Sequence, residues 1–370
     1  MGASAVSAER RALIWIGIVV GGVLALWLVS EVLLPFVVGA AVAYFLDPAT
    51  RRLENLGLPR IWATTAISAA FFAFVGLALV LLAPVLQSQF GLLAEALPDY
   101  VEQGRAVLER VFVDVRARLA PEDLARLRAA AGQHAGAALA WGRDFLVGLW
   151  SGGLALVNLL SLVFVTPLVT FYLLRDWPEI TAKVDTWLPR QDGAAIRAAL
   201  ADIDAALAGF VRGQALVCMV MGVLYAAALS IAGLDFGLLV GLAVGALTVV
   251  PIIGALIGAV LAIGLAALQF GDWGPIFAVA AIFVAGQVVE GNFLSPKLVG
   301  DRVGLHPLWI VFALLAGGAL AGFLGIVLAV PLAAAVGVLA RHGIRRYLSS
   351  TFYAGSSGSG FSGPDGGKSE

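Results

Sequence analysis

Charge is what this sequence has least of. Only 13% of its 370 residues are Asp, Glu, Lys or Arg, against about 25% in a soluble chain. With 61% of the residues hydrophobic, too few polar groups remain to cover a water-facing surface, so lipid is the expected solvent for much of the chain. The formal net charge of -1 lacks the basic footprint of nucleic-acid binding. One cysteine, Cys218, excludes an internal disulfide, and its apolar setting between Ala215 and Gly222 suits a small packing residue. The three histidines, His134, His306 and His342, lie far apart and without metal-ligand spacing. There is no HExxH, no Gly-Lys-Ser/Thr phosphate loop and no Ser/His/Asp grouping. These absences point away from an enzyme, a resident cofactor, a metal centre and ATP-driven pumping. Arg10 and Arg11 precede an apolar run without a small-residue cleavage site, so it reads as a first membrane helix rather than a leader.

What the chain does have is long apolar runs, and a bilayer core needs about 20 such residues per helix. Leu13 to Ser30 is long enough. Val32 to Leu46 follows as a short second arm ended by Asp47-Pro48, and Ile61 to Val85 is a further span. From Leu86 to Arg143 charges return. There Val107, Leu108, Val111, Phe112, Val115 and Leu119 form one apolar stripe on an otherwise polar helix. Phe145 to Leu174 is apolar again and closes at Arg175-Asp176-Trp177-Pro178. A polar helical stretch then runs to about Arg212, and Gln214 to Ala232 is a span. Phe236 to Phe270 and His306 to Leu339 are each too long for one ordinary crossing, so each is expected to be a broken helix or a hairpin. The expected fold is therefore an all-α polytopic membrane protein of about eight membrane helices, some broken or paired as hairpins, with a small extracytoplasmic helical subdomain.

The corresponding division is first membrane helices over 1-85, an extramembrane helical subdomain over 86-143 and a membrane helix over 144-174. A cytoplasmic helical segment follows over 175-212, then a transport core with broken helices over 213-345 and a tail over 346-370, which from Gly355 is Gly/Ser-rich and expected to be disordered. Lysine and arginine in short loops prefer the cytoplasm. Arg51, Arg52, Arg60, Arg175, Lys183, Arg341, Arg345 and Arg346 place both termini there, provided that 306–339 forms two arms.

The most informative stretch is Gly286 to Lys297. It sets Gln287, Glu290, Asn292 and Lys297 at the end of an apolar run that starts near Ile276. An ionised group at bilayer depth costs at least a few kcal/mol unless it is paired or hydrated. On a continuing helix Gln287 and Glu290 share a face, and Lys297 lies about 10 Å beyond Glu290 on ideal geometry. Pro296 and Gly291 interrupt that ideal. Glu290 is either a structural group bonded to a loop near the membrane edge or a desolvated carboxylate that couples to a proton or cation.

Gly237, Gly241 and Gly245 recur every four residues, and Gly254/Gly258 repeat the spacing. Such faces let another backbone approach closely, for tight packing or for sliding and unwinding. Pro251 and Pro331 sit inside the over-long runs. Discontinuous helices expose backbone groups that are tolerated only inside protein or beside a water-filled cavity, and paired broken segments point to a transport site.

Several ordered motifs resemble the autoinducer-2 exporter-like permease family (AI-2E, PerM type). They are Leu34-Pro35-Phe36 through Asp47-Pro48, Phe171 to Asp176, Leu188-Pro189-Arg190, Phe210 to Gln214, and Val250-Pro251-Ile252-Ile253-Gly254. An aromatic often follows that last proline in the family, where this chain has Ile252. The sharpest match is Glu290 to Lys297, continuing to Gly300 and Leu305-His306-Pro307, and the closing Gly317 to Leu332 region fits as well. The resemblance spans roughly 13–345 and implies a multi-pass bacterial inner-membrane permease, a homo-oligomer in the lipid bilayer, and a small-molecule or ion substrate. Members have been linked to export of a furanone-type quorum signal and to sodium–proton exchange. Glu290, Asn292, Lys297 and His306 carry over as matching motif positions. The expected function is movement of a small solute, by alternating access or through an oligomeric pore. A sodium/proton antiporter is one alternative. A non-transporting scaffold that binds a partner through 86-143 is another.

Overall fold

A computed structural model describes residues 30–116, 154–189, 193–251, 253–299 and 306–348. The described residues are helical and contain no strand. The helices are α1 (Ser30–Asn55), α2 (Arg60–Arg116), α3 (Leu154–Thr186), α4 (Gly193–Ile231), α5 (Gly237–Leu247), α6 (Ile253–Gln269) and α7 (Trp273–Val289). A π-helical segment (Glu290–Val299) and α8 (Pro307–Leu348) follow. Among the described residues five helices are long and apolar enough to cross a membrane, the last of them, α8, divided by a sharp break, and α5 and α6 are shorter apolar helices. The run Leu13 to Ser30 and residues 117–153 lie outside the described residues, save Ser30 itself, which begins α1.

The chain divides into two compact units, one of 1–182 and 211–300, the other of 183–210 and 301–370. In the first unit α1, α2 and α3 pack together. Ala43, Leu46 and Leu174 are buried there, against Phe45, Ile67 and Phe71. Two threonines of α3 stitch it to α1: Thr166 Oγ1 donates to the Pro35 carbonyl at 3.4 Å and Thr170 Oγ1 to the Gly39 carbonyl at 3.1 Å. Both accept the rule that a hydroxyl in an apolar bundle finds a backbone acceptor.

Three helices run further than the sequence suggests. Helix α1 continues through Asp47-Pro48 to Asn55, with Arg51 Nε bonded to Asp47 at 2.8 Å across one turn. Helix α3 continues through Trp177-Pro178 to Thr186. A proline in a helix leaves the carbonyl four residues back without its donor; for Pro178 that carbonyl belongs to Leu174, and the Arg60 guanidinium supplies the missing bonds. Helix α2 runs 57 residues without interruption, through Pro84 and Pro98. At 1.5 Å per residue it is about 85 Å long, far more than the roughly 30 Å of a bilayer core. The position expected to separate span from subdomain, 85/86, falls inside this single helix.

The rest of the first unit is built on the end of α4. Val217, Met221, Tyr225 and Leu229 of α4, Val244 of α5, Ala262 and Ala266 of α6, Val279 and Phe283 of α7, and Leu294 form one buried cluster. Tyr225 stacks on Phe283 with ring centroids 4.8 Å apart. Helices α5 and α6 form a hairpin whose turn holds residues 248–251. Gln269, the last residue of α6, ties the base of the hairpin together. Its Nε2 donates to the Gly233 carbonyl at 2.9 Å and its Oε1 accepts from the Asp235 backbone N–H at 3.0 Å. The two legs therefore begin and end on the same face of the unit. Tyr100 of α2 reaches that face too, with its Oη 3.4 Å from Asp235 Oδ2 and its ring edge-on to Phe236.

In the second unit α8 is two antiparallel arms. The break is at Ala321 (φ -140°) and Gly322 (φ 56°, ψ -135°), a left-handed conformation that glycine adopts without a Cβ clash. Gly317 and Gly325 face each other across the break so closely that a Cβ on either would collide with the other's backbone. Pro331 lies within the second arm rather than at the break, and the helix runs on through it. The start of α4 is joined to the end of α3 by an ion pair between Arg197 Nε and Asp185 Oδ1.

Candidate functional site

The hairpin of α5 and α6 is held against α4 by its glycines. A Cβ on Gly237 would lie 2.7 Å from the Leu229 carbonyl carbon. One turn on, Gly241 meets the backbone of Ala226, and one turn further Gly245 meets Gly222. Each step of four residues forward on α5 matches about four residues back on α4, which is an antiparallel contact at backbone distance. On the other leg Gly254 abuts the end of α5 at Leu247 and Gly258 receives the Val244 side chain. At 11 residues α5 is about 16 Å long, and it cannot cross a hydrocarbon core of about 30 Å.

The hairpin tip holds a buried polar contact. Gln214 Nε2, from α4, donates to the Thr248 carbonyl at 2.5 Å, and Thr248 Oγ1 donates back to the Val244 carbonyl at 2.8 Å. Both side chains are buried. Pro251 lies in this turn, which explains how the apolar run reverses. Proline removes a donor that helix propagation would need, and Gln214 satisfies an acceptor that the end of α5 would otherwise leave unpaired.

Glu290 lies at the junction of α7 and the π-helical segment and is only 8% exposed. Gln287 Nε2 donates to its Oε2 at 3.0 Å. No ion pair to Glu290 forms among the described residues. Across from it on α4 are Cys218 and Tyr225, both within its electrostatic reach. The Tyr225 hydroxyl is fully buried and has no hydrogen-bond partner among the described residues, with the Gln287 side chain beside it short of bonding geometry. A Cβ on Gly286 would strike that hydroxyl, so glycine is what lets α7 close over Tyr225. A π-helical segment shifts the side-chain register and commonly marks a functional position. Here it begins at Glu290 and turns Asn292 and Lys297 outward.

Of the residues marked in the sequence, the structure brings Gln287 and Glu290 together. Asn292 and Lys297 are exposed, and Lys297 pairs with no carboxylate among the described residues. His306 belongs to the second unit, where its Nδ1 accepts the Leu308 backbone N–H at 3.3 Å at the start of α8. Nothing local in the sequence marks Tyr225 or Thr248, and Gln214 stands there only as the end of the Phe210 to Gln214 motif. A tyrosine or glutamine at helical spacing in an apolar run reads as packing until its partner across the bundle is known. No group of three or more His, Cys, Asp or Glu suited to a metal ion occurs among the described residues.

Comparison with known proteins gives these observations a context. A family model described as AI-2E family transporter matches residues 16–345. The chain is 32% identical over 325 residues to "Putative transport protein YrrI" of Bacillus subtilis, a match covering 86% of this chain and 89% of that protein. It is 27% identical over 328 residues to "Putative permease PerM" of Escherichia coli, covering 88% and 91%. It is 25% identical over 312 residues to "AI-2 transport protein TqsA" of Escherichia coli, covering 82% and 83%.

Proposed function

The chain belongs to the AI-2E transporter family, and on that premise we propose that it carries a small solute across the membrane with Glu290 as an ion-coupling group in the pathway. It is a multi-pass membrane protein whose family are transporters and permeases, not enzymes. The observation that carries the coupling reading is the isolation of Glu290. A carboxylate 8% exposed, with one amide donor and no cation beside it among the described residues, has little to keep its charge. Such a group gains from taking up a proton or a small cation, and it faces a buried tyrosine hydroxyl that can contribute a further oxygen ligand or a proton-relay step.

The re-entrant α5–α6 hairpin supports the same reading. Its tip sits on Gln214, and its legs lie on glycine faces that permit close approach. A hairpin turn held by a buried amide, together with a helix that changes to π-helical winding at Glu290, resembles the way carriers build a central site. The substrate class we favour is a small polar metabolite of the signalling type. A relative is named for AI-2 transport. Inner-membrane placement with both termini cytoplasmic, an extracytoplasmic role for the end of α2, and homo-oligomeric assembly complete the proposal.

The test is flux in proteoliposomes across a pH series, comparing the native protein with Glu290→Gln. Loss of pH dependence with flux retained supports coupling through Glu290. Unchanged pH dependence removes it. A second reading, sodium–proton exchange without an organic substrate, rests on the same carboxylate. It is separated by proton flux driven by a sodium gradient in vesicles that contain no solute.

A further inference from the structure

The last turns of α8 carry cations that the transport reading does not use. Arg341 and Arg345 lie one turn apart, and His342 lies one turn beyond Val338. With Asp202, Ala205 and Ala206 of α4 they line an open cavity of about 290 Å³ within the second unit. Val338 and Ala206 are buried. His342 lies against Asp202, with its Nε2 3.6 Å from Asp202 Oδ2 and its Nδ1 3.2 Å from the Val338 carbonyl. Two arginines and a histidine share the lining with one aspartate.

The setting of the cavity along α8 says what kind of anion reaches it. Leu308–Leu348 is apolar enough for a membrane, and the charged turns end its second arm, the one that follows Gly322. Its surface just before the charged turns, at Leu332, Val336 and Leu339, is exposed, and so are Ile344 and Tyr347 after them. In a bilayer such an apolar flank faces acyl chains. Arginines and a tyrosine at the end of a membrane helix sit at headgroup depth. A lining this small suits a headgroup rather than a whole lipid, since pockets for drug-sized ligands start at about 300 Å³. Guanidinium groups bind phosphate oxygens through paired N–H donors, and basic pockets beside membrane helices bind anionic headgroups.

We propose that this cavity seats the phosphate of an anionic membrane phospholipid, with Arg341 and Arg345 donating to its oxygens and the acyl chains lying along Val336 and Leu339. Free phosphate shares the headgroup chemistry but not the tails. The full-length protein is reconstituted in phosphatidylcholine nanodiscs with and without phosphatidylglycerol, and retained lipid is measured after detergent extraction by native mass spectrometry. The expected result is preferential retention of phosphatidylglycerol by the native protein. Retention should fall about 25-fold in the Arg341→Gln/Arg345→Gln double variant, from roughly fivefold for each arginine removed. Asp202→Asn, at a largely exposed side chain, is expected to raise retention instead and guards against a double variant that fails to fold. Equal retention by the native protein and the double variant, or lowered retention in Asp202→Asn, overturns the proposal. So does competition by millimolar inorganic phosphate that strips the lipid completely, because the ligand would then be the free ion.

Discussion

Arg60 donates to the Leu174 carbonyl from both Nε, at 2.9 Å, and Nη2, at 2.5 Å, across 114 residues of sequence. The same guanidinium donates from Nη1 to both oxygens of Glu54, at 3.2 and 3.0 Å, and from Nε to the Arg175 carbonyl at 3.1 Å. One side chain thus links the end of α1, the start of α2 and the proline step of α3. Hydrogen bonds to a charged donor contribute roughly 1.5–3 kcal/mol. Arg60→Ala is expected to destabilise the first unit by about 2–3 kcal/mol. Arg60→Lys recovers only part, because an ammonium cannot reproduce the planar fork. Thermal unfolding in detergent, followed by circular dichroism, measures both.

The glycine face of α5 gives a second expectation. Gly245→Val places side-chain carbon into the Gly222 backbone, and overpacking of this kind costs about 1–3 kcal/mol or more. Gly264→Ala in α6 meets nothing within 4 Å and is the control. It is expected to be neutral or to stabilise by about 0.5–1 kcal/mol through helix entropy. Equal losses in the two variants would contradict the close contact between α4 and α5.

The tip of the hairpin depends on Gln214. Removing its amide in Gln214→Leu leaves the buried Thr248 carbonyl unpaired, at a cost of about 1–3 kcal/mol. A cysteine introduced at Val249, which is 38% exposed, then reports on the tip. Its labelling by a water-soluble maleimide is expected to be several-fold faster in the Gln214→Leu background than with Gln214 in place.

Asp185 gives an acid-side dependence. The hydrogen bond from Arg197 holds its carboxyl below the usual carboxylate range, and the charge of Arg197 acts in the same direction. A folded-state value below the unfolded one means that the contribution is present above the unfolded value, about 3.9, and is lost as pH falls through the folded value. The pair is solvent-exposed, so the effect is small. Asp185→Asn is expected to flatten the acid limb of the stability curve below about pH 4 and to leave neutral stability almost unchanged. Chemical denaturation over pH 2–7 would read it.

Tyr100 gives the alkaline counterpart. Partial burial, then the charge of Asp235 and the hydrogen bond to it, raise its phenol above the usual value. With the folded value above the unfolded one, stability is intact below about pH 10 and declines as pH rises through the folded value. Asp235→Asn is expected to bring the Tyr100 absorbance titration back toward the ordinary phenol range. A titration that did not move would show that burial alone sets it.

Much of the architecture is legible in the sequence, because apolar run length reports directly on the solvent. The over-long run Phe236–Phe270 announces a reversal, and the glycines around Gly322 announce another. Where sequence and structure part is at proline. Asp47-Pro48 and Trp177-Pro178 read as helix ends, yet α1 and α3 continue, since for Pro178 a guanidinium from another helix satisfies the freed carbonyl. Pro331 reads as a break, whereas the chain reverses ten and nine residues earlier, at Ala321 and Gly322. Glu290 is visible as a carboxylate in an apolar setting. Its neighbours Tyr225 and Cys218 are not, because nothing local distinguishes a tyrosine that meets a carboxylate across a bundle from one that only fills space. Asp202 and His342 are hidden for the same reason: their proximity is a property of the fold.

The amide of Gln269 closes the loop formed by the hairpin at its open end, with one atom accepting and the other donating. Two slender rods clasped at the foot and joined at the head behave mechanically as a single plate. A clasp of this kind favours tilting of the whole piece over splaying of its legs. An isosteric exchange of that amide for glutamate would reverse one of its two polarities and loosen the foot, leaving the turn and the Gly254 and Gly258 contacts to hold the legs together.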